Sequence, residues 1–280
     1  MIGQDKLLRK IDTMPEIPHF IVLVGDKGSG KQTIAKDIAR TLYATYVKCD
    51  IKVDSVREVI DNSYKVTDKV LYCFADADNM RAEAKNAMLK ITEEPPKNSY
   101  FILTVSDSGI LLDTIKSRAL ILNMEPYSRQ EILDYCELRE YKDKDYIIET
   151  ASTPYEADML HKYGHDFIEY VSLVADNISF VESANSFKSG AKLALKNEED
   201  KYDLALFFRA FIKLCCKRAV QEGPLELTKK YCYGIEITTK YLRQASKLGC
   251  NKQQVYDMWV LDIRSGWYEY NRFEAADNTK

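Results

Sequence analysis

The sequence predicts an α/β domain built on a parallel sheet and followed by an all-helical remainder. Short apolar runs alternate with helical patterns from His19 to about Asn123, which calls for a parallel sheet covered by helices on both faces. The first run enters a glycine loop that opens a helix. After Glu125-Pro126-Tyr127 the strand signal disappears and only helical patterns remain.

The strand candidates are Phe20–Val24, Tyr46–Cys49, Val70–Phe74, Phe101–Val105 and Leu120–Leu122. The first leads into Gly25-Asp26-Lys27-Gly28-Ser29-Gly30-Lys31, and a helical pattern continues through Gln32 and Thr33 to about Tyr43. This is the context of a phosphate-binding loop. The glycines let backbone N–H groups converge on phosphate oxygens, the helix N-terminus adds positive potential, and Lys31 reaches the terminal phosphates. The plain alternative is a glycine-rich turn with no ligand. The hydroxyl residue that would hold magnesium after the lysine is here Gln32. Thr33 does not substitute, because one residue along a helix turns the side chain by about 100°. A glutamine carbonyl is a weaker ligand, so the loop is expected to favour nucleotide binding over hydrolysis.

The strand Val70–Phe74 runs into Ala75-Asp76-Ala77-Asp78. Asp76 and Asp78 read equally as a helix cap with first-turn charges or as remnants of a catalytic acidic motif. Downstream, Ala84 to Glu94 forms an amphipathic helix closed by Pro95-Pro96, then comes the buried strand, Ser106, and Ser117-Arg118-Ala119 eleven residues further on. That order sets Arg118 on a surface, where the residues alone allow a simple ion pair worth about 0–1 kcal/mol.

Taken together, Gly25–Lys31, Ala75–Asp78, Glu93-Glu94-Pro95-Pro96 and Ser117-Arg118 resemble the motifs of the AAA+ clamp-loader subunits, above all the delta prime type of bacterial DNA polymerase III. The resemblance covers the first 125 residues by motif and the rest by the order and length of helices. It implies an AAA+ P-loop domain over 1–126, a small helical lid over 127–177 and a helical collar over 178–280. Members with working sites carry Asp-Glu-Ala-Asp where this chain has Ala75-Asp76-Ala77-Asp78, so Asp76 takes the water-orienting position in shortened form and Ala75 the metal-side one. Losing a positioned base costs about 10²–10⁴ in rate. Ser106 matches the first sensor position. Arg118 matches an arginine that the family supplies in trans to a neighbour's nucleotide, and such a finger contributes about 10³–10⁵ in rate.

Two further segments enter by resemblance alone. Ile2-Gly3-Gln4 resembles a short motif near the adenine base, and Ala151–Glu156 falls where the second sensor segment belongs, with no arginine in the next turn. The implied ligands are ATP or ADP with magnesium, with no zinc. The implied partners are other clamp-loader subunits, a sliding clamp and, through the complex, primer–template DNA. The expectation is a cytoplasmic subunit with little or no ATPase of its own. The alternative is a weakly active motor subunit, and an unrelated P-loop protein is disfavoured by the two downstream motifs.

Composition agrees without deciding. The 280 residues leave room for two or three domains. A formal charge of −3 removes the general basic field that nucleic-acid binders carry. No apolar run nears the ~20 residues of a membrane span. The seven cysteines contain no CxxC pair, and the interval from Cys49 to Lys69 is too short for a zinc module, so reduced thiols are expected. Ser128 with Glu131 predicts a capped helix start. Asn197–Lys201 reads as a solvated loop and Glu274–Lys280 as a disordered tail.

Overall fold

The computed structural model describes residues 2–142, 144–176, 203–221, 225–246, 250–252, 254–263 and 265. The expected loop at Asn197–Lys201, the tail at Glu274–Lys280 and the boundary near 177/178 lie outside the described residues. The chain forms two compact units. The first comprises residues 1–135 together with Ser152–Tyr155, and the second 136–151 and the residues from Glu156 on.

In the first unit five strands make one parallel sheet: β1 Phe20–Val24, β2 Thr45–Cys49, β3 Val70–Phe74, β4 Ser99–Val105 and β5 Leu120–Asn123, in the order β2-β3-β4-β1-β5. The three inner strands are nearly continuous runs of buried side chains, because each is covered on both faces. Phe20, Val22, Phe74, Phe101 and Leu103 pack with Val56, Ile60, Met88 and Ile91 on one face. Ile21, Leu23, Leu71, Cys73 and Ile102 pack with Ile34, Ile38, Leu7 and Ile11 on the other. Register sets β1 Val24 beside β4 Val105, and β3 Phe74 beside β4 Leu103. The carboxyl ends of β1, β4 and β3 therefore lie side by side.

The helices of this unit are α1 Asp5–Asp12, α2 Lys31–Thr41, α3 Val53–Ser63, α4 Ala82–Ala87, α5 Leu89–Glu93, α6 Asp113–Lys116 and the start of α7 Arg129–Leu138. The single helix expected over Ala84–Glu94 is broken between α4 and α5 at Met88, whose N–H bonds the Lys85 carbonyl three residues back. At α7 the Ser128–Glu131 box is complete. The Glu131 carboxylate accepts from Ser128 N at 2.7 Å and Oγ at 2.8 Å, and Ser128 Oγ accepts from Glu131 N at 3.2 Å.

The second unit is helical, with Lys144–Thr150, Pro154–Tyr163 (from Glu156 on), His165–Asp176, Leu204–Gln221, Leu225–Ala245 and a helical stretch over 254–263. Its core is aromatic. Phe207 packs edge-on against Trp259 at 5.7 Å, with Phe167, Phe208, Phe211 and Tyr256 around them, and Trp259 Nε1 donates to the buried Thr238 hydroxyl at 2.9 Å. Glu156 is buried and ion-paired to Arg209 Nε at 2.5 Å, while Lys213 donates to the Ala151 carbonyl. Among the described residues no helix is long and apolar enough to cross a membrane.

Candidate functional site

The glycine loop leaves β1 at its carboxyl end and returns as α2. Gly28 and Gly30 hold φ of 83° and 88°, the left-handed region that favours glycine. A Cβ on Gly28 would stand 2.1 Å from the Tyr155 Cβ, and one on Gly25 would stand 2.7 Å from Met124. The loop is braced from outside: Gly25 N donates to the Val105 carbonyl at 3.0 Å, Tyr127 Oη to the Ser29 carbonyl at 3.0 Å, and Thr153 Oγ1 to the Lys27 carbonyl at 3.5 Å. Lys27 Nζ lies 5.0 Å from the centre of the Tyr155 ring. The segment Ser152–Tyr155 thus lies on the loop.

Lys31 arches back over the loop. Its ammonium donates to the Gly25 and Asp26 carbonyls at 2.5 and 2.7 Å, two of its three donors. Burial lowers its pKa, opposed by the charges of Asp78, Asp76 and Asp26. Ser29 is 4% exposed and its hydroxyl has no partner within the protein. Gln32 is half-buried and Thr33 exposed.

The other two strand ends supply the acidic segment and the serine. Ala75 is buried, and Asp76 is exposed on a left-handed turn with φ 54°, its N–H donating to Thr104 Oγ1 of β4 at 3.1 Å. Asp78 Oδ1 accepts from Ser106 N at 2.8 Å and from Ser106 Oγ at 2.5 Å. Ser106, expected at the first sensor position, therefore spends its hydroxyl proton on an aspartate of its own chain. Beside Ala75 a cavity of about 350 Å³ is lined by Lys48, Cys49, Asp50, Ile51 and Asp76.

These residues test whether magnesium fits. In phosphate-loop NTPases the ion is held by the hydroxyl after the lysine and by an acidic residue at the second strand. Here those positions offer a neutral carboxamide and a methyl group, and one oxygen of Asp78 is already engaged. Among the described residues no group of three or more His, Cys, Asp or Glu is placed to share a metal ion. The donor set does not fit magnesium; it does fit phosphate.

Arg118 lies away from the loop, after α6. Its guanidinium meets Glu93 at 3.3 Å, the Thr114 carbonyl at 3.2 Å and Ser117 Oγ at 3.4 Å, with the side chain 39% exposed. At the start of the chain, Gln4 makes a two-way pair with the backbone of Glu125, donating to its carbonyl at 2.7 Å and accepting from its N–H at 2.8 Å. Tyr155, Tyr127 and Thr104 belong to the site as well. Thr104 alone carried a sequence signal, a polar residue inside an otherwise apolar run, Tyr100–Val105.

A parallel sheet of this order with a glycine loop leaving β1 is the AAA+ P-loop fold. Residues 46–128 match the family model described as DNA polymerase III, delta subunit. Relatives include the DNA polymerase III subunit delta' of Bacillus subtilis, 30% identical over 132 residues (47% of this chain, 36% of that protein). They also include the subunit gamma of Buchnera aphidicola subsp. Schizaphis graminum, 28% identical over 169 residues (48% of this chain, 47% of that protein). Among solved structures, a gamma subunit-related protein of Thermotoga maritima superposes with a TM-score of 0.52 at 17% identity, covering 93% of this chain and 98% of that one. The RuvB Holliday junction branch migration motor of the same organism gives 0.51 at 16%, covering 93% and 88%. These two likenesses concern the fold. The chain spans about half or less of the curated relatives it matches. These sequence likenesses are to subunits of the bacterial clamp loader, and the family-model match is confined to residues 46–128.

Proposed function

We propose that this chain is a stator-type subunit of a sliding-clamp loader in DNA replication, lending Arg118 to the nucleotide of a neighbouring subunit while turning over little ATP itself. One observation carries the reading: the Ser117-Arg118 pair stands intact at the surface, while the chain's own phosphate loop lacks the groups that would hold a metal. A guanidinium in a neighbour's site stabilises charge developing on the transferred phosphoryl group. The relatives named delta' and gamma support assembly with other loader subunits. Contact with a clamp, and with primer–template DNA through the complex, belongs to the same proposal, as do a lid over 127–177, a collar from 178 on and a cytoplasmic location. The acidic balance of the chain favours indirect over direct DNA contact.

The second reading is a weakly active motor, favoured by the braced glycine loop and the arched Lys31. Clamp- and DNA-stimulated ATP hydrolysis by a reconstituted loader separates the two. A stator loses turnover with Arg118→Ala and keeps it with Lys31→Ala. If Lys31→Ala abolishes a share of the turnover, the chain is a motor.

A further inference from the structure

We infer that the glycine loop of this chain is a metal-independent nucleotide site, which holds the phosphates of a nucleoside di- or triphosphate through its backbone and Lys31 with no divalent cation. The inference goes beyond the stator reading and does not depend on what Arg118 does.

The cradle is built. Lys31 is held across the loop by two carbonyls, which fixes its nitrogen and leaves one donor for an oxyanion. The first N–H groups of α2, an eleven-residue helix, have no partner within the helix and point along its positive end. The Ser29 hydroxyl, 4% exposed and unpartnered, is a second and independent mark of a missing ligand, because a buried polar atom left without a hydrogen bond is costly. A bound phosphate also reverses the penalty on Lys31, whose ammonium is disfavoured by burial.

The metal half is absent in chemistry. Magnesium demands near-octahedral oxygen coordination and sheds water reluctantly. Gln32 offers one neutral oxygen, Ala75 none, and Asp78 has turned an oxygen to Ser106 N and Oγ. Asp76 is exposed on its turn. The cation that answers the phosphate charge is therefore Lys31, and removing divalent ions should leave affinity where it was.

The test is nucleotide binding by the full chain, followed by calorimetry with ADP and with ATP, in excess magnesium and in excess EDTA. The expected result is a Kd that agrees between the two buffers within about threefold, and a loss of at least about tenfold in both for Lys31→Ala. The double variant Gln32→Thr/Ala75→Asp restores the hydroxyl and the carboxylate, and its ATP affinity should become metal-dependent by at least about tenfold. Chelation that weakens binding to the unaltered chain by about tenfold or more overturns the inference, as does absence of nucleotide binding in both buffers. A restored variant that binds ATP equally well in EDTA overturns the assignment to Gln32 and Ala75. None of these outcomes bears on the Arg118→Ala result, so the two readings fail separately.

Discussion

The carboxylate of Glu93, at the end of α5, lies 3.3 Å from the guanidinium of Arg118, just past α6. The contact joins the Glu-Glu-Pro-Pro segment to the Ser-Arg pair, two motifs separated in sequence. Both side chains are well exposed, at 58% and 39%, so the pair contributes no more than about 1 kcal/mol to folding. Arg118→Ala and Glu93→Gln should each leave the urea midpoint of the isolated chain almost unmoved. On the stator proposal, Arg118→Ala should slow turnover in an assembled loader by at least about 10³-fold, while Glu93→Gln, which spares the guanidinium, should cost far less.

Tyr43 ends α2 in the left-handed region, with φ 54°, and its side chain is 93% exposed. The Ala44 N–H closes the helix on the Ala39 carbonyl at 2.8 Å, the position where glycine is usual. Tyr43→Gly should therefore stabilise the protein by about 0.5–1 kcal/mol. Gly164 is the mirror case. It has φ 77° with nothing within 4 Å of a added Cβ, so Gly164→Ala isolates the backbone cost and should destabilise by about 1 kcal/mol. Urea midpoints of the two variants, moving in opposite directions, check both.

Lys31 makes stability depend on pH at the alkaline end. Its pKa is lowered in the folded state by burial, against 10.5 for the free side chain. Below the folded value the ammonium is charged in both states and the fold bears the whole desolvation cost. Between the folded value and 10.5 the unfolded chain binds more protons, so this contribution to stability rises with pH. Nucleotide-free Lys31→Met should melt at or above the unaltered protein at neutral pH, with the gap closing toward pH 10.5. A gap that widens with pH would contradict this sign.

The thiols should divide by burial. Cys216 and Cys232 are exposed and Cys250 half-buried, while Cys49, Cys73, Cys136 and Cys215 are buried. Burial pushes Cys49 up to about 12 and raises Cys73 and Cys136, and a protonated, enclosed thiol is inert. Alkylation under native conditions followed by mass spectrometry should mark Cys232 first and Cys216 after it, because desolvation also raises the Cys216 thiol despite its exposure. The four buried thiols should react only after denaturation.

The sheet was legible because its inner strands are buried on both faces and so read as unbroken apolar runs; β1 and β3 fall at the expected residues, and β2, β4 and β5 differ by one or two at an end. The glycine loop was legible from local spacing. The strand order was not, and with it went every contact it creates: Asp78 with Ser106, Asp76 with Thr104, Gly28 with Tyr155. Each joins segments that only the crossovers bring together, and hydrophobic periodicity carries no information about such pairs. The break at Met88 was hidden because apolar spacing continues through it.

The Gln4–Glu125 amide pair has a consequence for how the protein is made. Its two partners lie 121 positions apart, and β1 pairs with β4 and β5 rather than with the strands that follow it directly. On a ribosome β1, an inner strand, would emerge first and wait on the order of 10 s, at typical elongation rates, for the neighbours that cover its edges. The glycine loop waits longer still, for Tyr155. Until then a strand of Phe-Ile-Val-Leu-Val stands unpaired on both sides, a segment that nascent-chain chaperones would be expected to shield.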